Sequence, residues 1–205
     1  MNTAIFGGSF DPVHNGHVRL AENILSAVTD IEKLVIMPTL ISPFKQDGAH
    51  ASGSDRLNMC RLAFEDIPCA EVSGYEISGS GISYTVDTVT HYRSLDPEGR
   101  LYLIMGGDSL RSFGKWYRSD DILRMCTIIS AARTDDEIAQ LDALSEELSK
   151  NGSIIALKAK PFEISSTAIR KKILNNEDIS CYLPRKVVKY ITDHDLYRFP
   201  KEDRP

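Results

Sequence analysis

The sequence predicts a doubly wound α/β fold on a parallel sheet, and three observations carry that expectation. Short apolar runs alternate with longer amphipathic stretches from one end of the chain to the other. The apolar runs lack the polar alternation of a half-exposed strand, so their sheet must be covered on both faces. With 205 residues, no internal repeat and no linker-like stretch, the chain is expected to form a single domain over 1–205 around a sizeable core.

Strands are expected at 3–6, 33–37, 70–73, 100–105, 127–131 and 153–157. Between them, helices are expected at 16–28, 54–65, 85–94, 120–125, 135–149 and 166–174. Leu20, Ile24 and Val28 recur every fourth position in the first of these, the spacing of a core-facing stripe. A last helix is expected at 184–194, with Pro184 at its start and Val187, Val188 and Ile191 turned inward. Residues 199–205 form a polar tail that should fray.

Composition narrows the function classes. Hydrophobic residues make up 42% and charged residues 26%, which suits a packed globular chain rather than a disordered one. The net charge of -5 argues against nucleic acid as the main partner, since phosphate-backbone binders carry a basic excess. A phosphorylated small molecule needs only a local basic pocket. The four cysteines (Cys60, Cys69, Cys126 and Cys181) have no CxxC spacing, so buried free thiols in a reducing compartment are expected, not disulfides or zinc. No run approaches the ~18 apolar residues of a membrane span and no leader precedes the first strand, so the expected location is cytoplasmic.

Ligands of a doubly wound sheet bind at the carboxyl ends of its strands, so the residues just past each strand are the candidates for a site. After the first comes Gly7-Gly8-Ser9-Phe10-Asp11-Pro12-Val13-His14-Asn15-Gly16-His17. Two glycines allow a sharp turn close to a ligand. Gly16-His17 opens a helix whose N–H groups and dipole favour an anion, with His14 and His17 three residues apart around that start. It is neither a Walker A loop nor a Gly-x-Gly-x-x-Gly fingerprint, and a zinc site would need a third ligand that no companion cluster offers. After the last strand stands Ile164-Ser165-Ser166-Thr167-Ala168-Ile169-Arg170, where a serine can cap the helix and Arg170 shares the face of Ser166. Two further segments are Ser83-Tyr84-Thr85-Val86-Asp87-Thr88, which starts a helix, and Met105-Gly106-Gly107-Asp108, which ends a strand ahead of Phe113-Gly114-Lys115-Trp116-Tyr117. Asp108 stands where a carboxylate can accept ribose hydroxyls. Trp116, the one tryptophan, has the polar neighbours Lys115, Tyr117 and Arg118, which suit a partly exposed ring that stacks on a flat ligand.

The run from Gly8 to His17 resembles the nucleotidylyltransferases with an H-x-G-H signature, here His14-Asn15-Gly16-His17. Class I aminoacyl-tRNA synthetases share a related H-I-G-H motif, but this chain is too short for one and has no Lys-Met-Ser-Lys sequence. Ile164-Ser165-Ser166-Thr167-Ala168-Ile169-Arg170 is similar to the family's second phosphate motif, and the Ser83–Thr88 and Met105–Trp116 segments look like those of bacterial nicotinate-nucleotide adenylyltransferases. The resemblance spans 4–170 and implies a Rossmann-like nucleotidylyltransferase fold. It implies ATP binding by Gly7, Gly8, Ser9, Phe10, His17, Gly106, Asp108, Ile164, Ser165, Ser166 and Arg170. For nicotinate mononucleotide it implies Lys45, Tyr84, Thr85, Asp108, Trp116 and Tyr117, with the tryptophan on the pyridine. Mg²⁺ is expected as cofactor, held by phosphates and not by protein side chains. The chain departs from the family at Phe44, where histidine usually precedes Lys45, and at Gly107, where alanine or threonine is more usual.

The expected chemistry is direct in-line displacement of pyrophosphate. A mononucleotide phosphate, with a second pKa of ~6, is already mostly dianionic and needs no general base. No covalent nucleophile stands beside the histidines. His14, His17, Lys45 and Arg170 would share the charge, with His17 on the α-phosphate and His14 orienting the triphosphate. Competing readings are another acceptor (nicotinamide mononucleotide, phosphopantetheine or a flavin mononucleotide) and a non-catalytic nucleotide sensor. Homo-oligomerisation is left open.

Overall fold

The structure is a computed structural model that describes residues 1–43, 50–132, 138–139, 143, 146, 152–158 and 164–198. Six strands form one sheet: β1 (Thr3–Gly8), β2 (Lys33–Pro38), β3 (Ala70–Val72), β4 (Leu101–Gly106), β5 (Thr127–Ala132) and β6 (Ile154–Lys158). Their order is β3-β2-β1-β4-β5-β6, and every neighbouring pair is parallel. The helices are α1 (Asn15–Ala27), α2 (Gly53–Phe64), α3 (Thr85–Leu95), α4 (Gly107–Arg111), α5 (Ser119–Met125), α6 (Ser166–Leu174) and α7 (Arg185–Asp193), with a 3-10 turn at Phe113–Lys115.

Successive strand residues point to opposite faces, and this divides the core in two. Ala4, Phe6, Leu34, Ile36 and Ile104 pack with Ala21 and Ile24 of α1, Met59 and Cys60 of α2, Ile169 of α6, and Val187 and Ile191 of α7. Ile5, Val35, Met37, Leu103 and Met105 pack on the other side with Val86 and Val89 of α3, Leu110 of α4, and Ile122 and Leu123 of α5. This is the doubly wound arrangement that the sequence predicts.

Several details differ from the sequence reading. Ile24 is fully buried, but Leu20 and Val28 are half-buried, and Ala21 completes the inner stripe instead. Pro184 precedes α7 as its cap, where its missing N–H costs nothing. Val187 and Ile191 are buried as expected, with Val188 at their margin. The α4 helix and the 3-10 turn are additions, too short to leave a periodic signal. Most of the helix expected at 135–149, and the tail at 199–205, lie outside the described residues.

The topology also places the crevice. β1 and β4 are paired only from Thr3↔Leu101 to Phe6↔Ile104. Beyond that point Gly7 and Gly8 remain in register with Met37 and Pro38 of β2. Met105 and Gly106 stay with Ser130 and Ala131 of β5. The two central strands therefore part at their carboxyl ends, where the strand order reverses.

Candidate active site

The wall on the β1 side begins at the glycine pair. A Cβ on Gly8 would lie 3.1 Å from the Phe10 ring, whereas one on Gly7 would meet nothing within 4 Å, so Gly7 stays open for close approach. Phe10 is 1% exposed and adopts φ 46, a left-handed conformation that a bulky side chain rarely takes. The Gly8 carbonyl accepts from the Thr39 amide (2.9 Å), and the Ser9 carbonyl accepts from Arg56 Nη1 (2.9 Å). Each peptide is trans and planar, so the Ser9 and Phe10 N–H groups are directed opposite to those carbonyls.

Past the turn, His14 caps α1 and His17 sits in its first turn. Their rings stack with centroids 3.7 Å apart, and Phe10 meets His17 edge-on at 4.9 Å. The His14 backbone N–H donates to His17 Nδ1 at 3.2 Å. An amide can only donate, so Nδ1 is the acceptor and the ring proton resides on Nε2. His17 is thus prepared to donate from Nε2.

Asp11 underlies this segment. Its Oδ1 accepts from the Ala51 amide (3.0 Å) and the Tyr197 hydroxyl (2.8 Å), and its Oδ2 accepts from the His50 amide (2.7 Å). The Asp11 carbonyl accepts from Arg170 Nη1 at 2.6 Å, and Arg170 Nη2 donates to Thr167 Oγ1 at 3.1 Å. Ser165 caps α6 by accepting from the Ala168 amide (3.2 Å), as expected, while Ser166 Oγ donates to the Pro12 carbonyl (2.9 Å). The start of α6 is therefore stapled to the histidine segment, and Ile164 packs at the edge of the first core.

A cleft of about 630 Å³ opens where β1 and β4 part. Gly7, Gly8 and Ser9 line one side, and Gly106, Asp108, Lys115, Trp116 and Tyr117 line the other. Tyr84 and Thr85, at the start of α3, close a third side. Tyr84 and Tyr117 have ring centroids 4.8 Å apart. Trp116 is half-buried, in keeping with the partly exposed ring expected from its neighbours: it packs near Phe113 (5.5 Å) at the second core and also lines the cleft. Asp108 pairs with Arg111, and both are exposed enough that the pair contributes little stability.

Nine of the expected residues thus surround the cleft. The second group (Phe10, His14, His17, Ser165, Ser166 and Arg170) is fastened along the segment that continues the glycine turn. Phe44 and Lys45 lie outside the described residues. Sequence reading missed Glu76, which lines the cleft and accepts from Thr88 Oγ1 at 2.7 Å. Burial pushes its carboxyl above the usual range, against the opposing pull of nearby hydroxyls and Arg56. It also missed Arg56, which is 1% exposed. A signal was present: Arg56 is in register with Met59, Cys60 and Ala63 on the buried face of α2. Cys60 and Cys126 are buried, as expected of the thiols, but Cys69 is half-buried and Cys181 is exposed. Among the described residues, no helix is long and apolar enough to cross a membrane.

Crevice, glycine turn and histidine pair define a nucleotidylyltransferase: the cytidylyltransferase-like family model matches residues 5–172, and the chain belongs to that family. Within it, the chain groups with the nicotinate-nucleotide adenylyltransferases. It is 33% identical over 199 residues to a probable nicotinate-nucleotide adenylyltransferase of Dehalococcoides mccartyi (strain CBDB1), covering 96% of this chain and 97% of the relative. A protein of the same description from Chlorobaculum parvum is 36% identical over 207 residues, covering 97% and 100%. Nicotinic acid mononucleotide adenylyltransferase from Plasmodium falciparum, solved with NaAD, superposes with a TM-score of 0.75 at 19% identity, covering 97% of this chain and 98% of that one. That likeness is one of fold.

Proposed function

We propose that this protein transfers the adenylyl group of ATP to nicotinate mononucleotide, releasing pyrophosphate and forming nicotinate adenine dinucleotide. The observation that carries this reading is the cleft between the parted ends of β1 and β4. It has the Gly7-Gly8-Ser9 turn on one side and a Tyr84–Trp116–Tyr117 aromatic group on the other. A two-substrate reaction needs both kinds of surface within one crevice.

In this reading, ATP lies along Gly7–Phe10, Gly106, Asp108 and the start of α6, with Ile164, Ser165, Ser166 and Arg170 toward its phosphates. The mononucleotide takes Tyr84, Thr85, Trp116 and Tyr117, and Lys45 is the proposed partner of its phosphate. An oxygen of that phosphate attacks the α-phosphorus in line, the bond to the β-phosphate oxygen breaks, and pyrophosphate leaves with the electron pair. His17 donates from Nε2 to the oxygen that gains charge, and His14 supports its ring.

Mg²⁺ is the proposed metal. Both carboxylate oxygens of Asp11, the acid within the histidine segment, are committed to protein donors, which fits an ion held by phosphate oxygens and water. When bound, it neutralises triphosphate charge. A cytoplasmic location suits these substrates.

The test is pyrophosphate release from Mg-ATP by purified protein with a panel of acceptors. Nicotinate mononucleotide should react best. Efficient turnover of a flavin mononucleotide or phosphopantetheine, with neither pyridine mononucleotide reacting, would overturn the reading.

A further inference from the structure

We propose that Arg56 is a positioning residue that sets the spacing between the ATP-side and acceptor-side walls of the cleft. This rests on the two-substrate reading above and goes beyond it, because Arg56 is buried and is not among the residues that line the cleft. Arg56 heads the largest fully buried side chains among the described residues, reaching under the cleft from the buried face of α2. Burying a guanidinium is costly unless charges and acceptors surround it. Asp11 and Glu76 supply opposing charge. One nitrogen, Nη1, donates to the Ser9 carbonyl at 2.9 Å and to the Thr39 carbonyl at 2.7 Å.

The destinations of those two bonds separate this role from that of a general core brace. Ser9 and Thr39 both line the cleft. Ser9 belongs to the glycine turn. Thr39 leads into Leu40 and Ile41, and these hold the acceptor side: the Leu40 amide donates to Ser83 Oγ (3.2 Å), and the Ser83 amide donates to the Ile41 carbonyl (3.0 Å). Ser83 is followed directly by Tyr84 and Thr85. Beside the direct Thr39–Gly8 bond, a second path therefore runs from the glycine turn through Arg56 Nη1 to the Thr39–Leu40 peptide and, by the Leu40–Ser83 bond, to the residue before Tyr84.

In-line transfer requires the reacting atoms ~3–3.5 Å apart, and a misplacement of ~1 Å can cost ~10²-fold. A brace between the walls should matter most to any step or ligand that engages both. R56K keeps the charge but loses the planar fork and ends nearer its own backbone. Affinities for ATP alone and for nicotinate mononucleotide alone should stay within about threefold of the parent. The kcat and the affinity for the dinucleotide, which spans both walls, should each fall by ~10²-fold. Amide exchange at Thr39 and Leu40 should quicken while that of β5 does not, a readout that needs no substrate.

Equal weakening of all three ligands, an unchanged kcat, or unaltered exchange at Thr39 and Leu40 would each overturn the proposal. If R56K does not fold, E76Q removes one of the two facing charges and should give the same pattern to a smaller degree; equal loss for all ligands there overturns it as well. A parent that turns over neither substrate counts against the functional reading, and the exchange measurement then decides the role of Arg56 by itself.

Discussion

Replacing Trp116 by alanine perturbs two surfaces at once, and the structure sets the size of each effect. The inner part of the ring packs near Phe113 in the second core, while its outer part lines the cleft. Emptying a fully buried aromatic site costs ~3–5 kcal/mol, so a half-buried ring should cost about 2 kcal/mol. For a chain of this length that corresponds to a fall in Tm of ~4–8 °C. Loss of stacking should weaken acceptor binding by ~1–3 kcal/mol, or ~5–150-fold, with ATP binding little changed. Differential scanning fluorimetry reads the first effect and calorimetric titration with nicotinate mononucleotide the second. Because Trp116 is the one tryptophan, quenching of the parent's fluorescence by the same ligand is a direct check. W116F should recover most of the stability and part of the affinity. A large loss of Tm with unaltered acceptor affinity would assign the ring wholly to the core and remove it from the site.

The geometry sets three further outcomes. H17A should lower kcat by ~10²–10³-fold with a much smaller change in the KM for ATP, as expected of a donor that acts on charge developing in the transition state; near-normal kcat with a raised KM would reduce His17 to a binding role. R170K should raise the KM for ATP in steady-state kinetics, since lysine cannot span the Asp11 carbonyl and Thr167 and still present a fork to phosphate; an unchanged KM would confine Arg170 to fastening α6. A thiol reagent at pH 8 should label Cys181 well before Cys60 or Cys126. Burial pushes the thiol of Cys126 up to about 12 and that of Cys60 higher still, so neither offers thiolate, and fast labelling of either in native protein would contradict the packing.

The strands, the order of the helices and the parallel sheet were legible because they rest on local periodicity and on punctuation by glycine, proline and capping residues. Gly7, Gly8, Ser9, Gly106 and Asp108 were legible because ligands gather at carboxyl strand ends, whereas Tyr84, Thr85, Trp116 and Tyr117 followed from the resemblance to a known family. Polar pairing over long distances left no such trace. Nothing near Asp11 in the chain indicates that Tyr197 and the His50 and Ala51 amides are its partners. Arg56 was visible only as a charge in register with an apolar stripe, and Glu76 as one acid among many. The partial exposure of Trp116 was legible from its polar neighbours, but its packing against Phe113 was not.

The bond between Tyr197 and Asp11 joins residues 186 apart, and this bears on how the protein is made. A ribosome adding ~5–20 residues per second needs roughly ten to forty seconds to travel from one to the other. For most of that time the histidine segment has been made without α6, whose Ser166 and Arg170 bind the Pro12 and Asp11 carbonyls, and the Asp11 carboxylate lacks its hydroxyl partner to the end of it. The contacts beneath the histidine segment are therefore complete only when the residues that follow α7 reach Asp11, so truncation short of Tyr197 would remove one of them.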